Sequence, residues 1–304
     1  MRKEKKAERT ANITTMSGYH ARQGEEWNCQ RANSFIGGAK YFASDRAKAL
    51  DTVDNAKGYG IEWEMTSRLT DNGTILATIL NSEFSAHLPS NFFKFEADCT
   101  VDIECVSQIG TKAFFRNHYS AFKAIYKYLK TIQTGPNFGN ASCGMHVNIS
   151  IANFGKTEAQ QNANIMKLHN WINRDNESYR FACAMLHRDM SRTTYCNKMR
   201  PDYLDACGSH GYCMNYSHMN EGKASRVEIR LVGAQKSYPA FRNTMETVFW
   251  LVKQSKELSA DAWNDPIKLW SGCNQYVFDR LQDHFTDYEA LEVIRRNVQR
   301  EDLI

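Results

Sequence analysis

The segment Ile61-Glu62-Trp63-Glu64-Met65 alternates apolar and acidic residues, and three later segments repeat this two-residue period. Side chains along a β-strand point alternately to its two faces, so the pattern predicts strands with one apolar and one polar face. The later segments are Val101-Asp102-Ile103-Glu104-Cys105, Met145-His146-Val147-Asn148-Ile149 and Arg226-Val227-Glu228-Ile229-Arg230-Leu231. If the four strands share a sheet, one face carries several carboxylates, an imidazole and two guanidinium groups. Like charges that lie this close repel one another, and bound metal together with an anionic ligand would offset this repulsion.

Taken along its whole length, the sequence predicts strands interleaved with long helices. The predicted strands lie near residues 59–66, 75–81, 92–96, 100–106, 144–151, 212–217 and 226–233. The predicted helices lie near residues 44–56, 113–133, 157–187, 239–258, 264–284 and 287–300. This order predicts an α+β fold, with one curved antiparallel sheet and helices packed on its outer face.

Composition excludes several classes of protein. The chain has 304 residues, of which 42% are hydrophobic, so it can form one large domain or two small ones. No apolar run approaches the ~20 residues of a membrane helix, and the polar N-terminus does not resemble a secretory signal. Nine cysteines without a Cys-x-x-Cys pair predict reduced thiols and a cytoplasmic protein.

The basic excess of the chain lies entirely in its first 57 residues. Residues 1–57 hold eleven Lys/Arg against seven Asp/Glu, and the remainder holds 27 of each sign. We therefore predict a basic N-terminal extension at 1–57 and a separate folded domain at 58–304. The extension is either a solvated arm or a segment that meets nucleic acid or an acidic partner. Nucleic acid is disfavoured, because carboxylate-lined strands repel phosphate in the absence of metal.

The acidic strands contain candidate metal ligands. Glu62 and Glu64 point the same way, and Mg²⁺ and Mn²⁺ prefer oxygen ligands of this kind. A solvated strand face explains such a pair equally well when it occurs alone. His146 follows Gly144, which allows close backbone approach, and shares its face with Asn148. This histidine is therefore either a ligand or a buried structural residue.

The segment around Glu228 has the most specific pattern, with Arg226 and Arg230 on the same strand face. One interpretation is a surface ladder of ion pairs. The other is a metal-binding carboxylate between guanidinium groups that hold phosphate oxygens. A cysteine hydrolase with Cys143 and His146 is a further hypothesis, although their adjacency on one segment is poor geometry for a nucleophile and its base.

These motifs occur in the order seen in glutamine synthetases, and the chain most resembles the amidoligase family. That family is a branch of the glutamine synthetase and glutamate–cysteine ligase superfamily. The resemblance covers about residues 58–258. The segments that carry it are Gly60–Glu64, Asp98–Ser107, Gly144–Asn148, Arg188, Arg192, Tyr195, Tyr212–Asn215 and Lys223–Arg230.

The resemblance implies a glutamine synthetase-like open half-barrel and a set of site residues. The implied ligands of two or three Mg²⁺ or Mn²⁺ ions are Glu62, Glu64, Glu104, His146 and Glu228. Arg226 and Arg230 would hold ATP phosphates or the substrate carboxylate. The other implied contacts to ATP or substrate are Asn148, Arg188, Arg192, Asn215 and Lys223. The chain departs from the family where Asn148 replaces a second histidine and Cys99 replaces a glycine.

The implied activity is ATP-dependent ligation of a carboxylate to an amine. Transfer of the γ-phosphoryl group gives an acyl phosphate, and the amine then attacks the acyl carbon. Asp98 or Asp102 would accept the proton of the amine. The chain lacks a phosphate-binding loop motif, so metals and arginines would hold ATP. The partners would be a small-molecule or peptide carboxylate and an amine donor, with no membrane. The alternative is a non-catalytic interaction protein or a nucleic-acid-binding protein that uses the basic N-terminal arm; the oligomeric state is left open.

Overall fold

The computed structural model describes most of the chain from residue 57 onward. The described residues are 57–70, 73–89, 92–96, 101–135, 143–190, 196–200, 211–219 and 225–299. The helix predicted at 44–56 and almost all of the predicted extension at 1–57 lie outside them. Contacts divide the chain into two compact units. The first extends to Ile149 and includes Ala234–Tyr238, and the second comprises Ser150–Gly233 and the chain from Pro239 onward.

The first unit is an open antiparallel sheet with helices. Its strands are β1 (Tyr59–Ser67), β2 (Phe93–Glu96), β3 (Ile103–Ser107), β4 (Thr134–Gly135) and β5 (Met145–Ser150, whose last residue is assigned to the second unit). Its helices are α1 (Gly73–His87), α2 (Lys112–Asn117) and α3 (Tyr119–Thr131). The strand order is β2-β3-β1-β5, and β4 pairs with the end of β1. All four pairings are antiparallel.

Aromatic side chains form the core between this sheet and its helices. The Trp63 ring is fully buried, with its centroid 4.9 Å from that of Tyr126 on α3 and 6.5 Å from that of Phe84 on α1. The Phe84 ring lies 5.1 Å from Phe93 and 5.6 Å from Phe95, both on β2. Such pairs contribute about 0.5–1.5 kcal/mol beyond their burial. Because side chains alternate, the even-numbered residues of β1 face away from the helices.

The strand predicted at 75–81 is wrong, because these residues belong to helix α1. A short apolar run with β-branched residues does not distinguish a strand from a buried helix. Leu76, Leu80 and Phe84 are spaced by four residues and are at most 2% exposed, which is the burial pattern of a helix face. The strands predicted at 59–66, 92–96 and 144–151 are confirmed, and the strand predicted at 100–106 is confirmed from Ile103 onward.

The second unit is mainly helical, with one short antiparallel strand pair. Its helices are α4 (Glu158–Asn173), α5 (Asn176–Met185), α6 (Tyr238–Glu257, whose first residue is assigned to the first unit), α7 (Ala260–Asn264), α8 (Pro266–Trp270), α9 (Gln275–Gln282) and α10 (Tyr288–Arg296). Its strands β6 (Met214–Asn215) and β7 (Arg226–Ile229) are shorter than predicted, and they place Asn215 opposite Glu228. The described residues therefore form an α+β structure, as predicted.

The helix predicted at 157–187 is two helices, α4 and α5, because Asp175 begins a new one. Its carboxylate accepts a hydrogen bond from the backbone N–H of Ser178 at 2.7 Å, which is the geometry of an N-cap. That hydrogen bond is the main cause that lowers the pKa of Asp175. On α4, the ammonium of Lys167 donates to the carbonyls of Ser255 and Leu258 at 2.8 and 2.7 Å, where α6 ends.

The stability of the second unit is expected to fall as the pH drops from about 6.5 to about 4. Burial, together with the charges of Arg280 and His284, lowers the pKa of His187 from 6.5 to about 4. The unfolded chain binds this proton near the ordinary pKa, and the native state only near the lowered one. The stabilisation that comes from keeping His187 neutral is therefore fully present above the ordinary pKa. At most about 3 kcal/mol of unfolding free energy is lost as the pH falls to the lowered pKa. Thermal unfolding across this pH range measures the loss.

The variant His187→Asn tests the cause of this pH dependence. His187 has a φ of 57°, a left-handed conformation that asparagine adopts more readily than most residues. The variant should fold and lose less stability on acidification than the wild type. An unchanged pH dependence in His187→Asn would show that another group is responsible.

Candidate metal site

Predicted ligands gather on the side of the first unit's sheet that faces away from the helices. The strand register places Glu62 opposite His146 and Glu64 opposite Glu104. Residues that are directly paired across antiparallel strands point to the same face. We name this side of the sheet the carboxylate face, defined by Glu62, Glu64, Glu104, His146, Asn148 and Lys94. Within the first unit, the structure thus places four predicted metal ligands on one face of the sheet.

His146 lies between two carboxylates. Its Nδ1 is 3.2 Å from Glu62 Oε2, and its Nε2 is 3.7 Å from Glu64 Oε1. A neutral imidazole has only one N–H, so it leaves one ring nitrogen lone pair facing a carboxylate. Either an imidazolium ion or a cation held among the three side chains removes this repulsion. The His146 side chain is only 8% exposed, so solvent screens the interaction weakly.

Neighbouring groups fix the orientation of both carboxylates. The side-chain amide of Asn148 donates a hydrogen bond to Glu62 Oε1 at 3.0 Å. The backbone N–H of Gly144 donates to Glu64 Oε2 at 2.5 Å. Residues that hold metal ligands in place in this way raise metal affinity. Asn148, predicted to contact ATP or substrate, therefore has an observed role in positioning Glu62.

The charges of the carboxylate face suit a divalent cation. Among the side chains that the structure describes on this face, Glu62, Glu64 and Glu104 carry three negative charges and Lys94 carries one positive charge, so negative charge is in excess when His146 is neutral. Glu64 and Glu104 are directly opposite each other, and like charges in such pairs are destabilising. A divalent cation bound among these carboxylates offsets the repulsion between them.

The donor atoms of this face fit Mn²⁺. Carboxylate oxygens suit Mg²⁺ and Mn²⁺, whereas an imidazole nitrogen favours a transition metal. Glu62, Glu64 and His146 supply both kinds of donor. Mn²⁺ is therefore the ion to test first, and Mg²⁺ the second.

Sequence reasoning missed Lys94, although the signal was present. Lys94 is 4% exposed and lies between Phe93 and Phe95 on β2. The two phenylalanines face the helices, so the same alternation that identified Glu62 places Lys94 on the carboxylate face. Its burial could not be predicted, because it depends on contacts between segments that are distant in sequence.

The second unit contains the fifth predicted ligand, Glu228, in a buried hydrogen-bonded group. Arg230 Nη1 donates to Glu228 Oε1 at 2.8 Å, and the Asn215 amide donates to Glu228 Oε2 at 2.8 Å. The side chains of Glu228 and Arg230 are only 5% and 11% exposed. The pair is therefore not a solvated surface ladder. Arg226 lies half-buried at the start of β7, and the metal-binding role of Glu228 stays a prediction.

Arg188 has a structural contact that sequence reasoning did not predict. Its guanidinium donates to the main-chain carbonyls of residues 230, 231 and 232, at 2.8, 3.0 and 2.6 Å. Next to them, a Cβ on Gly233 would lie 1.9 Å from the His187 carbonyl oxygen, so this close approach requires glycine. Arg188 thus holds the chain that follows β7. Its predicted contact to ATP is untested.

The remaining candidates are placed differently or lie outside the described residues. The Asp102 carboxylate accepts a hydrogen bond from the backbone N–H of Ser67 at 2.7 Å, which ties the residue before β3 to β1. Its role as proton acceptor stays a prediction. Cys143, the nucleophile of the hydrolase hypothesis, is 3% exposed. The candidates outside the described residues are Asp98, Arg192 and Lys223.

Comparison with models of known protein families and with curated proteins finds no match for this chain. Among the residues that the structure describes, no helix combines the length and apolar character needed to cross a membrane.

Proposed function

We propose that the protein is an ATP-dependent ligase that joins a carboxylate to an amine, with Mg²⁺ or Mn²⁺ held at the carboxylate face. The observation that supports this most strongly is the position of His146, 3.2 Å from Glu62 and 3.7 Å from Glu64, opposite an aromatic core. The open antiparallel sheet is compatible with a glutamine synthetase-like half-barrel, which is part of the proposal.

The chemistry requires activation of the substrate carboxylate. Its oxygen attacks the γ-phosphorus of ATP, which gives an acyl phosphate and ADP. The amine then attacks the acyl carbon, phosphate leaves, and the amine loses a proton. Divalent ions, when bound, neutralise the charge on the phosphate oxygens during both steps.

The residues of the carboxylate face have distinct parts in this proposal. Glu62, Glu64 and His146 would hold the first ion, and Glu104 would add an oxygen. Asn148 keeps Glu62 in the orientation that binding requires. Fixed ligands matter because a transferring phosphoryl group is stabilised mainly by positioned charge.

The proposal also retains the predictions made for the second unit. Glu228 would be a further metal ligand, and Arg226 and Arg230 would hold phosphate or carboxylate oxygens. The proton acceptor would be Asp98 or Asp102.

Replacing Arg226 by alanine should raise the KM for ATP or for the carboxylate, because a bidentate guanidinium contact would be lost.

Ligation is expected when the purified protein is incubated with ATP, Mn²⁺ or Mg²⁺, and pools of amino acids and peptides. Phosphate release should depend on one pool member that supplies a carboxylate and one that supplies an amine. Mass spectrometry should find a product equal to the two minus one water. Phosphate release without a dependence on either pool, or no release with any pool, would contradict the proposal.

A further inference from the structure

Lys94 is among the least exposed charged residues of the described chain. Its exposed fraction is 4%, and lysine is rarely buried to this degree without opposite charge nearby. Burying an ammonium group requires compensation for its lost hydration. The surroundings of Lys94 must therefore carry negative charge.

The sheet places Lys94 in one row with the predicted metal ligands. Lys94 is opposite Val106, Val106 is opposite Glu62, and Glu62 is opposite His146. Neighbouring strands are about 4.8 Å apart, so the Cα atoms of Lys94 and Glu62 are separated by about 10 Å. The four-carbon stem of lysine covers much of this distance. β2 lies at one edge of the sheet, so Lys94 is at one end of the row.

The opposite faces of β2 explain why this ammonium points towards the carboxylates. The rings of Phe93 and Phe95 pack on Phe84 of helix α1, at centroid distances of 5.1 and 5.6 Å. Lys94, between them in sequence, must point to the other side. A cation at this place is close to the diagonal neighbour Glu104, which is two residues from Val106 on β3.

The charge of the carboxylate face indicates what else binds there. A divalent cation held by the carboxylates and the Lys94 ammonium beside it form a positive region, which attracts an anion. Lysine serves as a point charge for phosphate oxygens in many sites. We propose that the Lys94 ammonium binds a phosphate oxygen of the nucleotide, next to the ion held by Glu62, Glu64 and His146. This inference rests on the proposed function and adds a phosphate-positioning residue to it.

A purely structural role gives different expectations. If Lys94 serves only as the counter-ion of Glu104, its removal lowers stability and leaves anion binding to the metal-loaded protein unchanged. If Lys94 holds phosphate, its removal weakens anion binding specifically. Metal binding should then stay equal or become tighter, because a positive charge near the cation has been removed.

The test measures two binding steps in four proteins. Electron paramagnetic resonance of free Mn²⁺ gives the metal affinity, and calorimetry gives the affinity of the Mn²⁺-loaded protein for inorganic pyrophosphate and for ATP. The proteins are the wild type, Lys94→Met, Lys94→Arg and the control Lys123→Met. Lys123 is an exposed lysine on α3 of the same unit, and its substitution changes the net charge equally.

We expect Lys94→Met to bind Mn²⁺ at least as tightly as the wild type and to lose at least about tenfold in affinity for pyrophosphate and ATP. Lys94→Arg should recover most of this loss, and Lys123→Met should show none. Unchanged pyrophosphate and ATP affinity in Lys94→Met would overturn the inference and leave the proposed function standing. Failure of the wild type to bind Mn²⁺ would overturn both.

Thermal unfolding of each variant separates a binding defect from a folding defect. If Lys94→Met is unfolded, Lys94→Gln replaces it, because the amide keeps a polar group at this position. A folded Lys94→Gln protein should show the same specific loss of pyrophosphate binding. If Lys94→Gln is also unfolded, Lys94 is a structural counter-ion, and the inference is wrong.

Discussion

Changing Glu62 to glutamine is expected to weaken Mn²⁺ binding by at least about 100-fold and to abolish ligation in a protein that still folds. Glu62 lies at the centre of the cluster, with Oε2 3.2 Å from His146 Nδ1 and Oε1 3.0 Å from the Asn148 amide. Glutamine keeps the size of the side chain but removes its negative charge and one oxygen ligand. Calorimetric titration with MnCl₂ measures the affinity, and phosphate release measures turnover.

The helix α1 supplies a matched control for this substitution. Glu83 also lies beside a histidine, with its Oε1 3.0 Å from His87 Nε2. The pair lies on helix α1, and among the described residues no second carboxylate forms an ion pair with His87. Glu83→Gln should therefore leave Mn²⁺ affinity unchanged within about twofold. Wild-type affinity in Glu62→Gln would show that the carboxylate face does not bind the metal.

Changing Arg230 to alanine is expected to destabilise the second unit by about 3–5 kcal/mol. The change removes the guanidinium that contacts Glu228 at 2.8 Å and leaves a carboxylate that is only 5% exposed. Asn215 still donates one hydrogen bond, but the guanidinium charge of Arg230 no longer stabilises this carboxylate. Urea denaturation measures the free energy of unfolding.

An exposed ion pair elsewhere in the same unit provides the comparison. Arg295 lies 3.0 Å from Glu292, and both side chains are 53% exposed. Solvent screens this pair, so Arg295→Ala should cost less than about 1 kcal/mol. Adding Glu228→Gln to Arg230→Ala should recover part of the lost stability, because the buried negative charge that Arg230 stabilises is then removed as well. Equal effects of the two arginine substitutions would contradict this account of the buried pair.

The strand pattern of the first unit could be predicted because its period is two. Ile61, Trp63 and Met65 are at most 1% exposed, while the glutamates between them lie on the opposite face. The same reasoning failed at residues 75–81, where an apolar run carries no period that separates strand from helix. The prediction of one long helix over 157–187 missed the break at Asp175, because the capping role of this residue depends on local backbone geometry.

The site was predictable in its residue types and not in its contacts. Alternation placed Glu62, Glu64 and His146 on polar strand faces, but only the register shows that His146 is opposite Glu62. The same is true of Arg188, whose contacts to three carbonyls join segments more than forty residues apart. Such long-range contacts depend on packing, and no short sequence pattern encodes them.

Electron spin-echo envelope modulation of the Mn²⁺-loaded protein tests the central claim most directly, because it detects nitrogen bound to the metal. The wild type should show the coupling of one imidazole nitrogen, and His146→Gln should lose that coupling. A wild-type spectrum without histidine coupling, or a coupling that persists in His146→Gln, would contradict a metal site at the carboxylate face.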